Sequence, residues 1–424
     1  MTLKTIRDEL IARDLCDHCL GRQFGMIGHG LENYERGAIL RRTDNPTRSD
    51  ITPEKIPKEA SRGDSCHLCD GLFERITEFA DRIIDRVEPY QFDTYVVGSR
   101  IRTSMLNEEE RLQNEIGVEE AERVNRELNR LIGKELERRY DGDISVHQQE
   151  ADLMMIVDTR EDEIELQVSS LYVFGRYNKY ARDLPQTEWH CRKCRGSGCD
   201  YCDGTGKMYE TSVQELIQSP FVEASEAREA VFHGAGREDI DARCLGKRTF
   251  VLELKHPLIR HLNLEELAEQ VNQEHDEIDI YDLQITRSRT VGRIKQIRAD
   301  KSYRAVVSLT DTVSDEALDQ ITDLEGEIEQ DTPSRVAHRR SDRTRTRTVH
   351  SVEVSRRAAD ELELEVKAEA GTYIKELISG DQDRTSPNLS ALLGTEATCA
   401  ELDVLNVHED IDVIPPAHKE KEGS

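Results

Sequence analysis

The sequence predicts an α+β protein of several domains, with mixed or antiparallel sheets flanked by helices. Three observations lead there. The chain has 424 residues, enough for about two to four domains. Stretches of two-residue apolar alternation are interspersed with stretches of helical spacing. Eight of the ten cysteines fall in four Cys-x-x-Cys pairs, which divide the chain into segments.

The N-terminal fifteen residues carry an amphipathic helical pattern, followed by the pair Cys16/Cys19, a polar stretch over 41–63 and the pair Cys66/Cys69. Helical spacing returns at 73–87, a short strand is expected at 95–98, and one long amphipathic helix is expected over 107–140, with Val124, Leu128, Leu131 and Leu136 on one face. Strands follow at 153–157, 164–168 and 171–174. Farther on, strands are expected at 249–254, 281–285, 303–309, 349–354 and 362–368, and helices at 264–273, 315–322 and 373–379. The resulting layout has an N-terminal cysteine region at 1–70 and a first α+β domain at 71–185. A second cysteine-rich segment spans 186–208, a large α+β domain 209–414, and a disordered tail 415–424.

A net charge of −28 with 36% hydrophobic residues invites a disordered reading, but apolar periodicity along most of the chain opposes it. An acidic, solvated surface suited to molar salt explains the composition, as does arginine in preference to lysine; binding to a basic partner is the alternative. No stretch approaches the ~20 apolar residues that span a bilayer, and the N-terminus lacks a signal peptide's apolar core. A cytoplasmic protein with reduced cysteines and no membrane partner is expected.

A Cys-x-x-Cys turn offers two thiolates to one ion, and two such turns complete a tetrahedral zinc site. Cys16, Cys19, Cys66 and Cys69 form one candidate set; Cys191, Cys194, Cys199 and Cys202 form the other. The second set is written as tandem Cys-x-x-Cys-x-Gly-x-Gly units, similar to the zinc repeats of DnaJ-type chaperones. Structural zinc at one or both sets is expected, with redox dithiols as the alternative. Four thiolates leave no open position for catalysis. Cys244 and Cys399 stand alone and are expected in the core.

The run Gly234-Ala-Gly-Arg-Glu-Asp239 joins a glycine turn to Arg-x-Asp. Glycine lets the backbone turn tightly and approach a substrate. A guanidinium beside a carboxylate taken out of water keeps it ionised, and such a carboxylate can serve as a nucleophile. Three further segments complete a constellation: 301–306 with Tyr303, 330–340 with Thr-Pro-Ser-Arg-Val-Ala-His-Arg-Arg, and 371–377 with Gly-Thr-Tyr-Ile-Lys-Glu-Leu.

At this point the chain resembles the pseudouridine synthases. Gly-Ala-Gly-Arg-x-Asp is similar to the nucleophile motif of the bacterial A-type tRNA enzymes, and Gly-Thr-Tyr-Ile-Lys-x-Leu to the third motif of the B-type enzymes. The similarity is closest to the archaeal family that makes pseudouridine 54 and 55 in the tRNA T arm. That family's Gly-Arg-Glu-Asp-(Ile/Val)-Asp-x-Arg-x-Leu-Gly appears at 236–246, and its Thr-Pro-x-Arg-Val-x-His-Arg-Arg at 332–340. Residues 171–186 are similar to the end of its THUMP RNA-binding domain. The family often has Gly-x-Gly-Arg-Pro-Phe where this chain has Gly246-Lys-Arg-Thr-Phe250, a difference expected to matter little.

The resemblance implies an N-terminal zinc-knuckle and THUMP region plus a C-terminal pseudouridine-synthase domain. It implies tRNA as partner, bound through its T arm and, at the THUMP-like domain, its acceptor stem. Asp239 would be the nucleophile, with Arg237 and Lys375 as the cations that hold it ionised. Tyr303 would stack on the extruded uracil and take a proton from carbon 5. Tyr373, Arg335, Arg339 and Arg340 would contact substrate, and Leu393 or Leu402 would complete the site. Isomerisation consumes nothing, so no catalytic cofactor is implied. Arg335, Arg343, Arg345 and Arg347, together with the acid-free stretch 287–298, are expected phosphate contacts. The overall acidity does not forbid this, because the Debye length is about 3 Å at 1 M salt. The principal alternative is a non-catalytic, zinc-containing tRNA-binding adaptor. A zinc-dependent chaperone lacks its His-Pro-Asp here, and a THUMP-linked methyltransferase or thiolation enzyme lacks its Gly-x-Gly-x-x-Gly or Ser-Gly-Gly-x-Asp-Ser loop.

Overall fold

The computed structural model describes residues 2–57, 66–118, 121–337, 341–409, 411 and 413. The chain divides into two compact units, 1–169 and 170–424. The tail assigned to 415–424 lies outside the described residues.

In the first unit, α1 (Leu3–Ile11) is capped by Thr2, whose side chain accepts a hydrogen bond from the Thr5 amide. α2 (Asp17–Arg22) starts at Cys16, whose sulfur accepts from the Cys19 amide. α3 (Asn33–Arg42) and α4 (Ile76–Val87) follow, then β1 (Thr94–Arg100). The single helix expected over 107–140 is two helices, α5 (Thr103–Ile116) and α6 (Val124–Arg139). The break falls at Gly117, which takes φ +70°, the left-handed cap that ends a helix and that glycine adopts without strain. β2 (Ser145–Val146), β3 (Leu153–Asp158) and β4 (Glu163–Val168) complete a sheet ordered β2-β1-β3-β4.

One apolar core runs through this unit from Leu10 to Ile164, so the expected boundary at residue 70 separates no cores. The buried His18 ring stacks on Phe73, 4.8 Å between centroids, and pairs through Nδ1 with Glu127 on α6 at 3.1 Å. The cysteine-bearing helix is thereby fastened to the helices that cover the sheet.

The second unit opens with β5 (Leu171–Lys179), which pairs antiparallel with strands much later in the chain. The boundary drawn at 185 is therefore corrected to 169/170. β5 is buried almost throughout, as befits a strand inside a large sheet rather than the last strand of a small one. Then come α7 (Val213–Ser225), β6 (Glu229–Gly234), β7 (Arg243–Lys255), α8 (Leu264–Glu274), β8 (Ile278–Thr286) and α9 (Ser288–Gln296). β9 (Asp300–Leu309), α10 (Asp315–Leu318), β10 (Gly326–Gln330), β11 (Arg345–Ala358) and β12 (Glu361–Ala368) follow. α11 (Ile374–Ser379), β13 (Thr385–Ser386), α12 (Leu389–Leu393) and β14 (Ala397–His408) close the unit.

These strands form one sheet in the order β13-β10-β11-β12-β9-β14-β7-β5-β8, with β6 added on β7. Its described pairings are antiparallel except β7 with β14. That junction lies inside the sheet, and one carboxylate on β14 ties it to both neighbouring strands. Asp403, buried to 2%, accepts from Arg243 at 2.7 and 2.8 Å, Arg304 at 2.8 Å and Arg182 at 2.9 Å.

Burial raises the Asp403 carboxyl, but Arg243 and Arg304 outweigh it and bring it down to about 2. A carboxyl depressed on folding stabilises the fold above its unfolded value, near 3.9, and loses that contribution as pH falls through its folded value. Asp403→Asn is expected to cost about 2 kcal/mol at pH 7. Guanidinium unfolding of the variant and the native chain should show the gap closing between pH 4 and pH 2. A gap independent of pH would mean the ion cluster is not its source.

Candidate active site

Gly234 ends β6 and Arg243 begins β7, so the motif 235–242 is the loop between two antiparallel strands. Gly236 takes φ +75°, the conformation for which the motif needs glycine. Below the loop lies a buried polar platform. The Arg248 and Glu238 side chains, each 1% exposed, pair at 2.9 Å. The Tyr177 hydroxyl donates to Glu238 at 3.0 Å, Gln186 donates to the Gly236 carbonyl at 2.9 Å, and Arg248 donates to the Ala235 carbonyl at 3.1 Å. Lys179, fully buried, donates to the carbonyls of Leu184 at 2.8 Å, Ile240 at 2.9 Å and Asp239 at 3.4 Å. Burial pushes its ammonium below the usual lysine range.

Arg248 comes from 246–250, where a departure from the family pattern was expected to matter little and which lies inside β7. The departure matters through this residue, which clamps the loop from beneath. Glu238, the unassigned letter of the motif, supplies the buried anion that Arg248 requires.

Above the platform the loop lines a cleft of about 680 Å³ together with the first halves of β9 and β11, the middle of β14, the start of α11 and the turn 334–336. Asp239 faces it with its side chain 35% exposed, so the carboxylate is more open than expected. Arg335 pairs with it through two nitrogens, at 3.2 and 3.1 Å. Lys375 stands 3.6 Å from Asp239 and 2.7 Å from Asp241. Burial raises the Asp241 carboxyl, but the Lys375 hydrogen bond outweighs it and leaves the group below its usual range. Arg335 is fixed in turn by Glu376 at 2.7 Å.

Two expectations are thereby corrected. The second cation at Asp239 is Arg335, expected as a substrate and phosphate contact. Arg237, expected in that place, is exposed and turns its guanidinium carbon toward the Trp189 ring, 6.0 Å from the centroid. In a tight turn, residues two apart need not point the same way, so Arg-x-Asp spacing did not imply contact.

The sheet's period places the remaining residues. Tyr303 on β9 is opposite Val404 on β14, and Leu402, two residues earlier, shares the face of Val404. All three line the cleft. Leu393, on α12, is partly buried and packs against the core instead. Tyr303 is 8% exposed; burial, partly offset by Arg248, pushes its phenol up to about 12. A phenol so placed is neutral near pH 7: it offers a ring face and a proton to donate, and it is not a ready base. Tyr373 is half-buried at the N-cap of α11 and lines the cleft; its backbone is held on both sides by Gln330 at 2.9 and 3.0 Å. Arg345 and Arg347 line the cleft as well, while Arg339 and Arg340 lie outside the described residues. Among the described lining residues seven are Arg or Lys and three are Asp or Glu. In a chain of net charge −28, the cleft is locally basic.

Both cysteine sets converge as expected: in each, the four sulfurs lie within 4.8 Å of one another. Cys16 and Cys69 are 3.7 Å apart, and Cys191/Cys199 and Cys194/Cys202 are 3.9 and 3.8 Å apart. Four thiolates at about 2.3 Å around a tetrahedral ion would stand about 3.8 Å from one another, so both donor sets fit zinc. Of the lone cysteines, Cys244 is in the core and Cys399 packs against it.

Comparison with known proteins agrees with this architecture. The family described as the C-terminal domain of Pus10 matches residues 172–408, and the archaeal Pus10 THUMP domain matches 79–158. The tRNA pseudouridine synthase Pus10 of Methanothermobacter marburgensis is 41% identical over 404 residues, covering 93% of this chain and 95% of the relative. That of Halorubrum lacusprofundi is 39% identical over 405 residues, covering 93% of each. That of Methanothrix thermoacetophila is 36% identical over 416 residues, covering 93% and 91%. Among solved structures, that of a Cbf5–Nop10–Gar1 complex is similar with TM-score 0.30 and 22% identity, over 47% of this chain and 46% of the other. With domain matches in both units and relatives of this identity along nearly its whole length, the chain belongs to the Pus10 family.

Proposed function

We propose that this protein is a tRNA pseudouridine synthase, an isomerase acting in the cytoplasm on uridine 54, uridine 55 or both in the T arm. The observation that carries the reading is Asp239, a carboxylate at the cleft floor held between Arg335 and Lys375. In the reaction the bond from ribose carbon 1′ to nitrogen 1 of uracil breaks, and the base turns. Carbon 5 then bonds to carbon 1′, the carbon-5 proton is lost, and nitrogen 1, freed of its ribose, takes up one proton. Atoms balance without a cofactor. Asp239 supplies the nucleophile; Arg335 and Lys375 keep it charged and aimed.

The open side of Asp239 is where the extruded base enters, at a cost of a few kcal/mol for unstacking. The base would displace water and complete the desolvation. Tyr303 supplies a stacking face; because its phenol is neutral, it assists at carbon 5 only by passing a proton on. Arg345, Arg347 and the exposed basic side of α9 suit the RNA backbone, and the first unit, with its THUMP match, suits the acceptor stem. Zinc in one or both cysteine sets would be structural: Cys16, Cys19, Cys66 and Cys69 would hold one ion, and Cys191, Cys194, Cys199 and Cys202 the other.

The test is incubation with unmodified tRNA transcript and nucleotide-by-nucleotide mapping of pseudouridine. Conversion at 54 or 55 supports the reading. Tight binding without conversion would favour an adaptor. Tyr303→Ala is expected to lower kcat by ~100-fold or more while tRNA affinity changes less than about tenfold, since a lost stack of about 1–3 kcal/mol is offset in part by the few kcal/mol no longer spent on extruding the base. Equal losses in both would mark Tyr303 as structural.

A further inference from the structure

The only tryptophan of the chain, Trp189, lines the same cleft as Asp239. Nothing in the isomerisation uses it. The ring is half-buried, stands edge-on against Tyr209 with centroids 5.7 Å apart, and has the Arg237 guanidinium carbon 6.0 Å from its own centroid. An indole and a guanidinium side by side at the wall of a basic cleft are the groups on which nucleobases stack.

Trp189 stands at the base of the loop that carries the second cysteine set. Its carbonyl accepts from the Met208 amide at 2.9 Å, and the next residue, His190, bridges to Lys207. These contacts close the base of the loop that carries Cys191, Cys194, Cys199 and Cys202. Residues 190–207 contain no aliphatic side chain, and their single aromatic, Tyr201, is 52% exposed. Such a segment has almost no apolar surface to bury and cannot hold one conformation by packing. A metal crosslink through the four sulfurs would supply the missing constraint.

We infer that Trp189 and Arg237 form a stacking platform for a nucleobase of the RNA other than the target uridine, and that the metal-bound loop 190–207 holds this platform at the cleft. The inference rests on the uridine-isomerising reading of the cleft. It makes the second cysteine set a positioning element of the substrate site, and it gives Arg237 a place in binding.

A single indole makes the test direct. Unmodified tRNA transcript is titrated into the full-length, metal-loaded Asp239→Asn protein while Trp emission is followed, and binding is measured independently by filter retention. Emission is expected to be quenched in step with binding. Trp189→Ala is expected to raise KM by about ten- to a hundredfold, more than it lowers kcat, and Trp189→Phe to recover most of that loss. Cys199→Ser/Cys202→Ser, which removes the metal from this set, should abolish quenching and weaken binding as Trp189→Ala does, with the far-UV circular dichroism of the rest retained. Retained RNA with unquenched emission overturns the platform, as does an unchanged KM in Trp189→Ala. Full quenching in the double cysteine variant overturns the role of the metal. Wild-type conversion of uridine is measured in parallel. Conversion without quenching defeats only the platform; quenching without conversion defeats only the isomerase reading.

Discussion

Asp239→Asn is expected to lower pseudouridine formation by at least ~10⁴-fold, the scale seen when an enzyme loses its nucleophile. The affinity for tRNA should change by less than about threefold, because the variant keeps the shape of the loop. The surrounding ion pairs predict that the fold survives. With the carboxylate gone, Arg335 still has Glu376 at 2.7 Å, and Lys375 still has Asp241 at 2.7 Å. Neither cation is left without an anion, so the usual penalty for breaking a buried pair does not arise. Chemical mapping of the product and a thermal melt settle both points. Conversion within tenfold of the native enzyme would remove Asp239 from the reaction. A fall of many degrees in Tm would show that the carboxylate holds the loop together and would make the activity loss uninformative.

Contrast Asp239 with Glu238, its neighbour in the motif. Glu238 is sealed against Arg248, and removing either would strand a charge in the interior. The two acids of one tetrapeptide thus divide the work: one holds the turn, the other faces the cleft. Sequence reasoning found the second because a nucleophile motif names it. It missed the first because burial of a carboxylate depends on Tyr177 and Arg248, which come from other strands. Lys179 and Gln186 were visible in the sequence as part of a family-like run, yet their targets are backbone carbonyls, which no residue pattern announces.

The same distinction explains the fold. Strands with strong apolar alternation, such as 303–309 and 362–368, were legible because they bury one face in the core. β10 and β14 are not legible: β10 offers one apolar residue, Ile328, between exposed Glu327 and Glu329, and β14 shifts register against β9 between Cys399 and Glu401 and again between Val404 and Asn406. The helix over 107–140 read as continuous because both halves carry the same apolar spacing, and only Gly117 marks the break. Arg237 was given the wrong partner because its direction follows from the turn's geometry. Trp189 belongs to no motif, and its place in the cleft follows from the chain's path, which no residue pattern announces.

The largest stability effect is expected at the first cysteine set. Cys16, Cys19, Cys66 and Cys69 are each at most 5% exposed, and they belong to the core of the first unit. Cys16 also caps α2, the helix that brings His18 to Phe73 and Glu127 and pairs Arg22 with Glu109. Loss of a bound ion would therefore release the helix start and open two buried pairs at once. Apparent zinc binding in small cysteine sites is worth about 10 kcal/mol or more near neutral pH, a figure that rivals the whole stability of a domain. Cys16→Ser/Cys19→Ser is expected to unfold the first unit, read as lost hydrogen-exchange protection over 2–57 and 66–118. Protection in β7, β9 and β14 should persist, because the second unit has a core of its own. Residual conversion of a T-arm hairpin by the variant would follow from the same independence. A fully reduced, metal-free protein with unchanged melting and exchange would mean that cysteine packing alone holds α2.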